Sequence, residues 1–425
     1  MYHDFCGIDF GTTNSAVSVL SAKNNSELIK FDNNSTIPTA IYFPEDGVYN
    51  PQFGKKAIKS YINGGEGRFM RSLKRILGTD LMNLKTEVDG VYISYDDIIS
   101  KFIKYLKDTA EQQIKRELTG VILGRPVHFQ DFSPDSDEKA ESLLRKIAYN
   151  LGFKNICFQY EPIAAAYSHE RKLNKESLAC VVDIGGGTSD FSIIRLGPNN
   201  HKKESRKDDV LANTGIRIGG NDYDRDLSIK CFMPDFGYGT LLKANPYNGR
   251  ILPVPFSPYT TLSEWSSVNN LYTYKEKKNI SQIYEQSAEP NKLRKLKEVV
   301  QKELGHTLLN KVEESKILLS ENNQINVCLD FIKDTPSINV KINEFEESII
   351  NSTNKIVESL NECIKQSGVS KNNIELIILT GGTTEIPFVK RNILNLFPNA
   401  IISEEDKLSS VAQGLVYSMP LKTLE

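Results

Sequence analysis

The chain has 425 residues, a formal net charge of −2, and 39 % hydrophobic and 25 % charged residues. That length can bury two ordinary cores, and the balanced charge lacks the basic stripe of a nucleic-acid binder. No apolar run approaches a membrane span, and Met1-Tyr2-His3-Asp4 has neither the charged nor the apolar region of a secretion signal. A cytoplasmic protein without membrane or nucleic-acid partners is therefore expected. The cysteines Cys6, Cys157, Cys180, Cys231, Cys328 and Cys363 are scattered without a CxxC spacing and read as reduced thiols.

In chain order, Phe5-Cys6-Gly7-Ile8-Asp9 reads as a buried strand ending on a carboxylate. Gly11-Thr12-Thr13-Asn14 follow, then an apolar return through Ala16, Val17, Val19 and Leu20. Further strands are expected over 27–31 and 37–43. By pattern alone, the basic stretch from Arg68 to Gly78 reads as a solvated helix face. Ile99, Phe102, Ile103, Leu106, Ala110 and Ile114 predict an amphipathic helix from Asp96 to about Leu118. Val121 to Leu123 form a strand ending at the turn Gly124-Arg125-Pro126, and a helix runs from Ser136 to Leu151. After a strand over 156–160, Glu161-Pro162 open a helix whose run Ala164-Ala165-Ala166 predicts very close packing.

A second hairpin then repeats the parts of the first. Its strand runs from Leu178 to Ile184, its tip is Gly185-Gly186-Gly187-Thr188, and its return is Ser189-Asp190-Phe191 with Ile193 and Ile194. Glycine lacks a Cβ, so such tips bring bare N–H groups against a bulky anion. Asp9 and Asp183, at the strand ends, are badly placed to touch phosphate but well placed to hold Mg²⁺ or its water shell. One copy is ordinary hairpin chemistry; two copies suggest two similar lobes gripping one nucleotide. Gly219-Gly220-Asn221-Asp222 feeds a helix over 223–231, and residues 232–285, with Trp265, read as a long irregular insertion. A helical stretch over 290–319, short strands (325–332, 337–342) and a helix over 343–366 lead to the strand Ile374 to Leu379. That strand enters Thr380-Gly381-Gly382-Thr383-Thr384-Glu385-Ile386-Pro387, where a glycine turn before a helix admits a flat base or ribose. A last helix covers about 407–417.

These loops in this order, with Glu161-Pro162-Ile163-Ala164-Ala165-Ala166 among them, resemble the nucleotide-binding domain of DnaK-type heat-shock chaperones. These belong to the actin/sugar-kinase ATPase superfamily. The resemblance covers almost the whole chain and is closest to a short, YegD-like branch without a peptide-binding domain. It implies a two-lobed α/β fold of the actin-like, ribonuclease H-like ATPase type, each lobe a mixed sheet flanked by helices with an inserted subdomain. Lobe I would span 1–172 with an insert over 36–94. Lobe II would span 173–406 with an insert over 223–325, and 407–425 would return to lobe I.

The resemblance also implies roles. Gly11, Thr12, Thr13 and Asn14 would sit on the β- and γ-phosphates from one side, and Gly185, Gly186, Gly187 and Thr188 from the other. Lys74 would neutralise charge near the γ-phosphate, and Glu161 would orient the attacking water or the metal's water. Asp9, Asp183 and Asp190 would hold Mg²⁺ through water, with Asp183 and Thr188 also counted with the catalytic set. Glu313, Lys316 and Ser320, at i, i+3 and i+7, would contact the nucleoside, backed by Gly219, Gly220, Gly381, Gly382 and Glu385. The family carries arginines where this chain has Ile317 and Glu385, and loss of their stacking predicts weaker ATP binding or looser base choice. A chain without the apolar linker and β-rich peptide-binding domain of such chaperones is expected, one that either closes its lobes on a protein partner or co-chaperone or takes the second domain from a partner.

The expected function is a slow Mg²⁺-dependent ATPase, converting ATP and water to ADP and phosphate, whose lobes open and close with nucleotide state. The alternative is a nucleotide-sensing module that barely hydrolyses ATP. A small-molecule kinase of the same superfamily would need a carboxylate base and a sugar-sized pocket, and the chaperone match is much closer.

Overall fold

The computed structural model describes residues 4–45, 50–131, 133–203, 205–333, 337–403 and 407–418. The chain falls into two compact units, one of residues 1–220, 355–385 and 389–425, the other of 221–354 and 386–388.

The first unit opens with β1 (Phe5–Asp9) and β2 (Asn14–Leu20), an antiparallel hairpin extended by β3 (Ser26–Leu28) and β4 (Ile37–Pro38). A small antiparallel sheet of β5 (Ala40–Pro44), β6 (Gln52–Phe53) and, after α1 (Gly54–Ile62), β7 (Gly67–Arg71) comes next. The hairpin β8 (Lys85–Val88) and β9 (Val91–Ser94) leads into α2 (Tyr95–Ile114). The Ser94 hydroxyl caps α2 by accepting the Asp97 N–H, and Asp96 and Asp97 complement the dipole of its first turn. β10 (Gly120–Arg125), α3 (Pro134–Asn150) and β11 (Asn155–Tyr160) complete a sheet ordered β11-β10-β1-β2-β3, with β10 parallel to both β1 and β11. Ile98, Ile99, Phe102, Ile103 and Leu106 of α2 join Cys6, Ile8 and Val121 in its core.

α4 (Glu161–Glu170) leads to β12 (Ser177–Ile184), β13 (Ser189–Leu196) and β14 (Val210–Ile216). α5 (Gly220–Leu227) follows, and the second unit holds α6 (Ser257–Leu262), α7 (Tyr274–Gln286), α8 (Pro290–Gln301), α9 (Gly305–Leu319) and the hairpin β15 (Gln324–Val327) and β16 (Ile338–Lys341). After α10 (Ile342–Gln366), β17 (Leu376–Thr380), α11 (Pro387–Leu394), β18 (Ile401–Ser403) and α12 (Ser410–Tyr417) end the described chain. β17 and β18 join the first unit's second sheet, ordered β14-β13-β12-β17-β18. The apolar run of β12 is buried between helices, as central strands with two covered faces require.

Three expectations change in detail. The basic stretch from Arg68 is β7 followed by a short 3-10 turn, Leu73–Ile76, with Arg71 and Lys74 buried, rather than a solvated helix face. Pairing of β7 with β5 takes the strand out of helical geometry. The helical stretch over 290–319 is two helices, because Glu303 takes a left-handed φ of 56° between them. The irregular segment 232–285 carries α6 and α7, and Trp265 is buried with its ring centroid 6.0 Å from that of His306.

The alanine run does pack tightly. Every residue of α4 is buried, and a Cβ on Gly414 of α12 would lie 1.6 Å from the carbonyl oxygen of Ala164. A methyl group there must push two backbones apart. Gly414→Ala is expected to cost about 1–3 kcal/mol of stability, read as a lower urea midpoint; an unchanged midpoint would refute this contact.

Candidate functional site

Both glycine hairpins form, and both belong to the first unit. Asp9 pairs with Ala16 across the β1–β2 turn, and Asp183 pairs with Asp190 across the β12–β13 turn. The Gly185 N–H closes the second turn on the Thr188 carbonyl at 3.0 Å. The two tips meet: a Cβ on Gly187 would lie 2.5 Å from Thr12 Oγ1 and 3.2 Å from Arg75 Cγ. Any side chain at Gly187 would therefore separate the loops.

The remaining glycine turns knit onto Gly185. Its carbonyl accepts the Gly220 N–H and the Thr383 hydroxyl, each at 2.9 Å. A Cβ on Gly219 would lie 2.7 Å from the Gly187 nitrogen. Gly381 has φ +79°, and a Cβ there would lie 2.2 Å from the Ile184 carbonyl oxygen, so only glycine fits. Gly11–Asn14, Gly185–Thr188, Gly219–Gly220 and the start of the Gly381–Gly382 turn thus form one connected backbone surface.

The charged residues lie at the same ends of the strands. Lys74, on the turn after β7, reaches Glu161 at the start of α4 with Nζ–Oε1 of 2.5 Å, and both residues are 7 % exposed. Asp190 Oδ1 accepts the Val127 N–H at 2.6 Å, whereas its Oδ2 is buried without a hydrogen bond. Burial, with the charge of Glu161 second, pushes the Asp190 carboxyl up to about 7. Dense surroundings and then Glu161 also raise Asp9 and Asp183 above the usual carboxylate range. Burial works to lower the Lys74 ammonium, but Glu161 and Asp9 outweigh it and raise its pKa. One ammonium therefore faces Asp9, Glu161, Asp183 and Asp190. Excess buried negative charge of this kind favours an added cation. Among the described residues, no group of three or more His, Cys, Asp and Glu side chains is arranged to hold a metal directly.

The expected nucleoside residues divide. Glu313, Lys316 and Ser320 lie on and just after α9 in the second unit. Lys316 Nζ is 2.7 Å from the fully buried Asp224, and the Ser320 hydroxyl donates to the Lys316 carbonyl at 3.3 Å. Ile317 is exposed. Glu385, in the first unit, pairs with Lys407 at 2.5 Å. Lys407, Asp131 and Arg217 join the charged residues only in the folded chain. All three engage through partners far along the chain, and a charged residue flanked by apolar ones in Ile216-Arg217-Ile218-Gly219 is the only local sign.

Two mixed sheets flanked by helices, with twin glycine turns at their strand ends, are an actin-like ATPase fold. A model of the Hsp70 protein family matches residues 5–240 and 283–416, so the chain belongs to the Hsp70 family. It is 25 % identical over 423 residues to a chaperone protein HscA homolog of Rickettsia conorii, covering 96 % of this chain and 55 % of the relative. It is 24 % identical over 413 residues to the chaperone protein DnaK of Mycoplasmopsis pulmonis, covering 94 % and 56 %. The chain spans about half the length of these curated relatives. Among the described residues, no helix is long and apolar enough to cross a membrane.

The raised carboxyls have a consequence for stability. Asp190 ionises near 3.8 when unfolded and near 7 when folded, so between these the folded state holds the extra proton and stability falls as pH rises. Without metal or nucleotide, the chain should lose stability from pH 5 to pH 8, by up to about 1.4 kcal/mol per pH unit for such a carboxyl. Asp190→Asn should flatten that slope and be more stable than wild type at pH 8. Urea unfolding at pH 5, 6.5 and 8 checks this; parallel profiles for the two proteins would refute it.

Proposed function

We propose that this chain is a slow Mg²⁺-dependent ATPase, splitting ATP with water into ADP and phosphate as a nucleotide-dependent switch. The observation that carries the reading is the Lys74–Glu161 pair, buried among Asp9, Asp183 and Asp190 where the Thr12 and Gly187 turns meet. Phosphoryl transfer asks a protein mainly for positioning and electrostatic stabilisation. In this reading Gly11, Thr12, Thr13 and Asn14 offer N–H and side-chain donors to one side of the polyphosphate, and Gly185, Gly186, Gly187 and Thr188 to the other. Lys74 neutralises the charge that develops on the γ-phosphoryl oxygens. Glu161 orients the attacking water and accepts its proton. Mg²⁺, held through water by Asp9, Asp183 and Asp190, would screen the phosphate charge from these carboxylates. Gly219, Gly220, Gly381, Gly382 and Glu385, all of the first unit, would lie on the nucleoside side of these turns. A protein partner or co-chaperone would couple to the switch.

A second reading, a nucleotide sensor with little hydrolysis, draws on the nucleoside residues. Lys316 is engaged by Asp224 and Glu385 by Lys407, and the family resemblance implies a stacking arginine where this chain has Glu385. The pair with Lys407 also bears on repair. Glu385→Arg alone would set two cations together, so affinity for Mg-ATP should improve clearly only with Lys407→Gln added. Recovered stacking of ~0.5–2 kcal/mol corresponds to a roughly two- to thirtyfold lower Kd. Calorimetric titration of both variants checks this; no gain in the double variant would refute a role for Glu385 at the base.

Phosphate release separates the two readings. Wild type should turn over Mg-ATP, and Lys74→Ala should lose roughly a hundredfold or more in kcat. Binding without release by wild type would favour the sensor, and neither binding nor release would overturn both.

A further inference from the structure

The Lys74 turn is short of internal support. It is a single 3-10 turn, Leu73–Ile76, closed by Arg75 N–H to Ser72 carbonyl at 3.0 Å and Leu77 N–H to Lys74 carbonyl at 3.3 Å. Such turns have poorer hydrogen-bond geometry than an α-helix, and the lysine stem is flexible. Outside partners must therefore fix where Lys74 starts. Two come from elsewhere in the first unit. The Arg217 guanidinium donates through Nη2 to the carbonyl of Arg75, the residue after Lys74. The Gln130 amide donates to the Leu77 carbonyl at 2.7 Å.

Both donors belong to one bracket. The Arg217 N–H donates to the two carboxylate oxygens of Asp131 at 3.0 and 3.1 Å. Asp131 and Gln130 end a segment whose first N–H, from Val127, is the donor to Asp190 Oδ1. Arg217 directly follows β14, whose Gly215 lies close to Asp190: a Cβ there would be 2.6 Å from the same oxygen. The bracket thus ties the Lys74 turn, the Val127–Asp131 segment, the end of β14 and Asp190 into one closed set of contacts.

We infer that Arg217 is a positioning residue for Lys74, holding the Lys74 turn in register with Asp190 through Arg75 and Asp131. The inference rests on the ATPase reading. Arg217 acts on Lys74 through the backbone of the turn, setting the base from which Lys74 reaches. Its loss leaves the Lys74–Glu161 pair and the glycine turns in place, so nucleotide binding persists. What suffers is the alignment of Lys74 in the transition state, where displacements of about 1 Å are costly to rate.

The test compares the wild-type chain with Arg217→Met, Arg217→Lys and Asp131→Asn, measuring phosphate release, Mg-ATP affinity by calorimetry and the urea midpoint. Arg217→Met keeps the length and removes the donor. It should lower kcat roughly tenfold or more, with Kd changed less than about threefold and the midpoint near that of wild type. Arg217→Lys restores a donor of similar reach and should recover most of the rate. Asp131→Asn keeps an acceptor but loses the charge, and should lower kcat by about threefold or more with affinity retained; it carries the test if Arg217→Met does not fold. A wild-type rate in Arg217→Met or Asp131→Asn overturns the inference. So does a joint loss of rate, affinity and stability that lysine does not rescue. A wild type without turnover overturns the ATPase reading together with it, and is told apart because it fails before any substitution.

Discussion

The first unit depends on one electrostatic constraint: Asp9, Glu161, Asp183 and Asp190 are gathered around a single buried ammonium, Lys74. Burying charge is expensive unless it is paired, and here pairing is incomplete, as the raised carboxyls and the unbonded Asp190 Oδ2 record. Carboxyls whose ionisation burial holds back in the free state ionise more readily beside an added cation, so such a site is poised for a charged ligand. Asp9, Asp183 and Asp190 stand at strand ends and Glu161 stands in the first turn of α4, where the helix dipole favours a negative group. Strand ends and a helix start together present the carboxylates.

Close backbone approach is what lets these groups share one place. The turn at Gly187 meets Thr12, Gly219 lies against the second glycine loop, and Gly381 reaches Ile184 in a conformation open to glycine alone. On the covered side, α4 and α12 approach until Gly414 meets Ala164, so the helix that delivers Glu161 has little room to shift. Rigid packing behind and bare amides in front are complementary demands of an anion site on a stable scaffold.

The family match runs through both units but omits residues 241–282. That segment includes a hairpin-like arm bridged at Leu241 and Pro253, with Tyr247, Ile251 and Leu252 exposed, and then Trp265 buried in the second unit's core. It is an elaboration of the second unit, built with its own core contacts.

The sequence by itself determined the elements whose chemistry is local. Each twin hairpin is read from an apolar strand, a terminal aspartate and a glycine tip, and the tight helix of Ala164 to Ala166 from its lack of side-chain bulk. The break in 290–319 and the strand character of Gly67–Arg71 were not legible, because a left-handed Glu303 and pairing with β5 override local pattern. The tertiary structure alone decided which charges meet. Lys74 with Glu161, Lys316 with Asp224, Glu385 with Lys407 and Arg217 with Asp131 each join residues well separated along the chain. Side-chain pairing over such distances follows from the path of the backbone, and no spacing in the sequence encodes it.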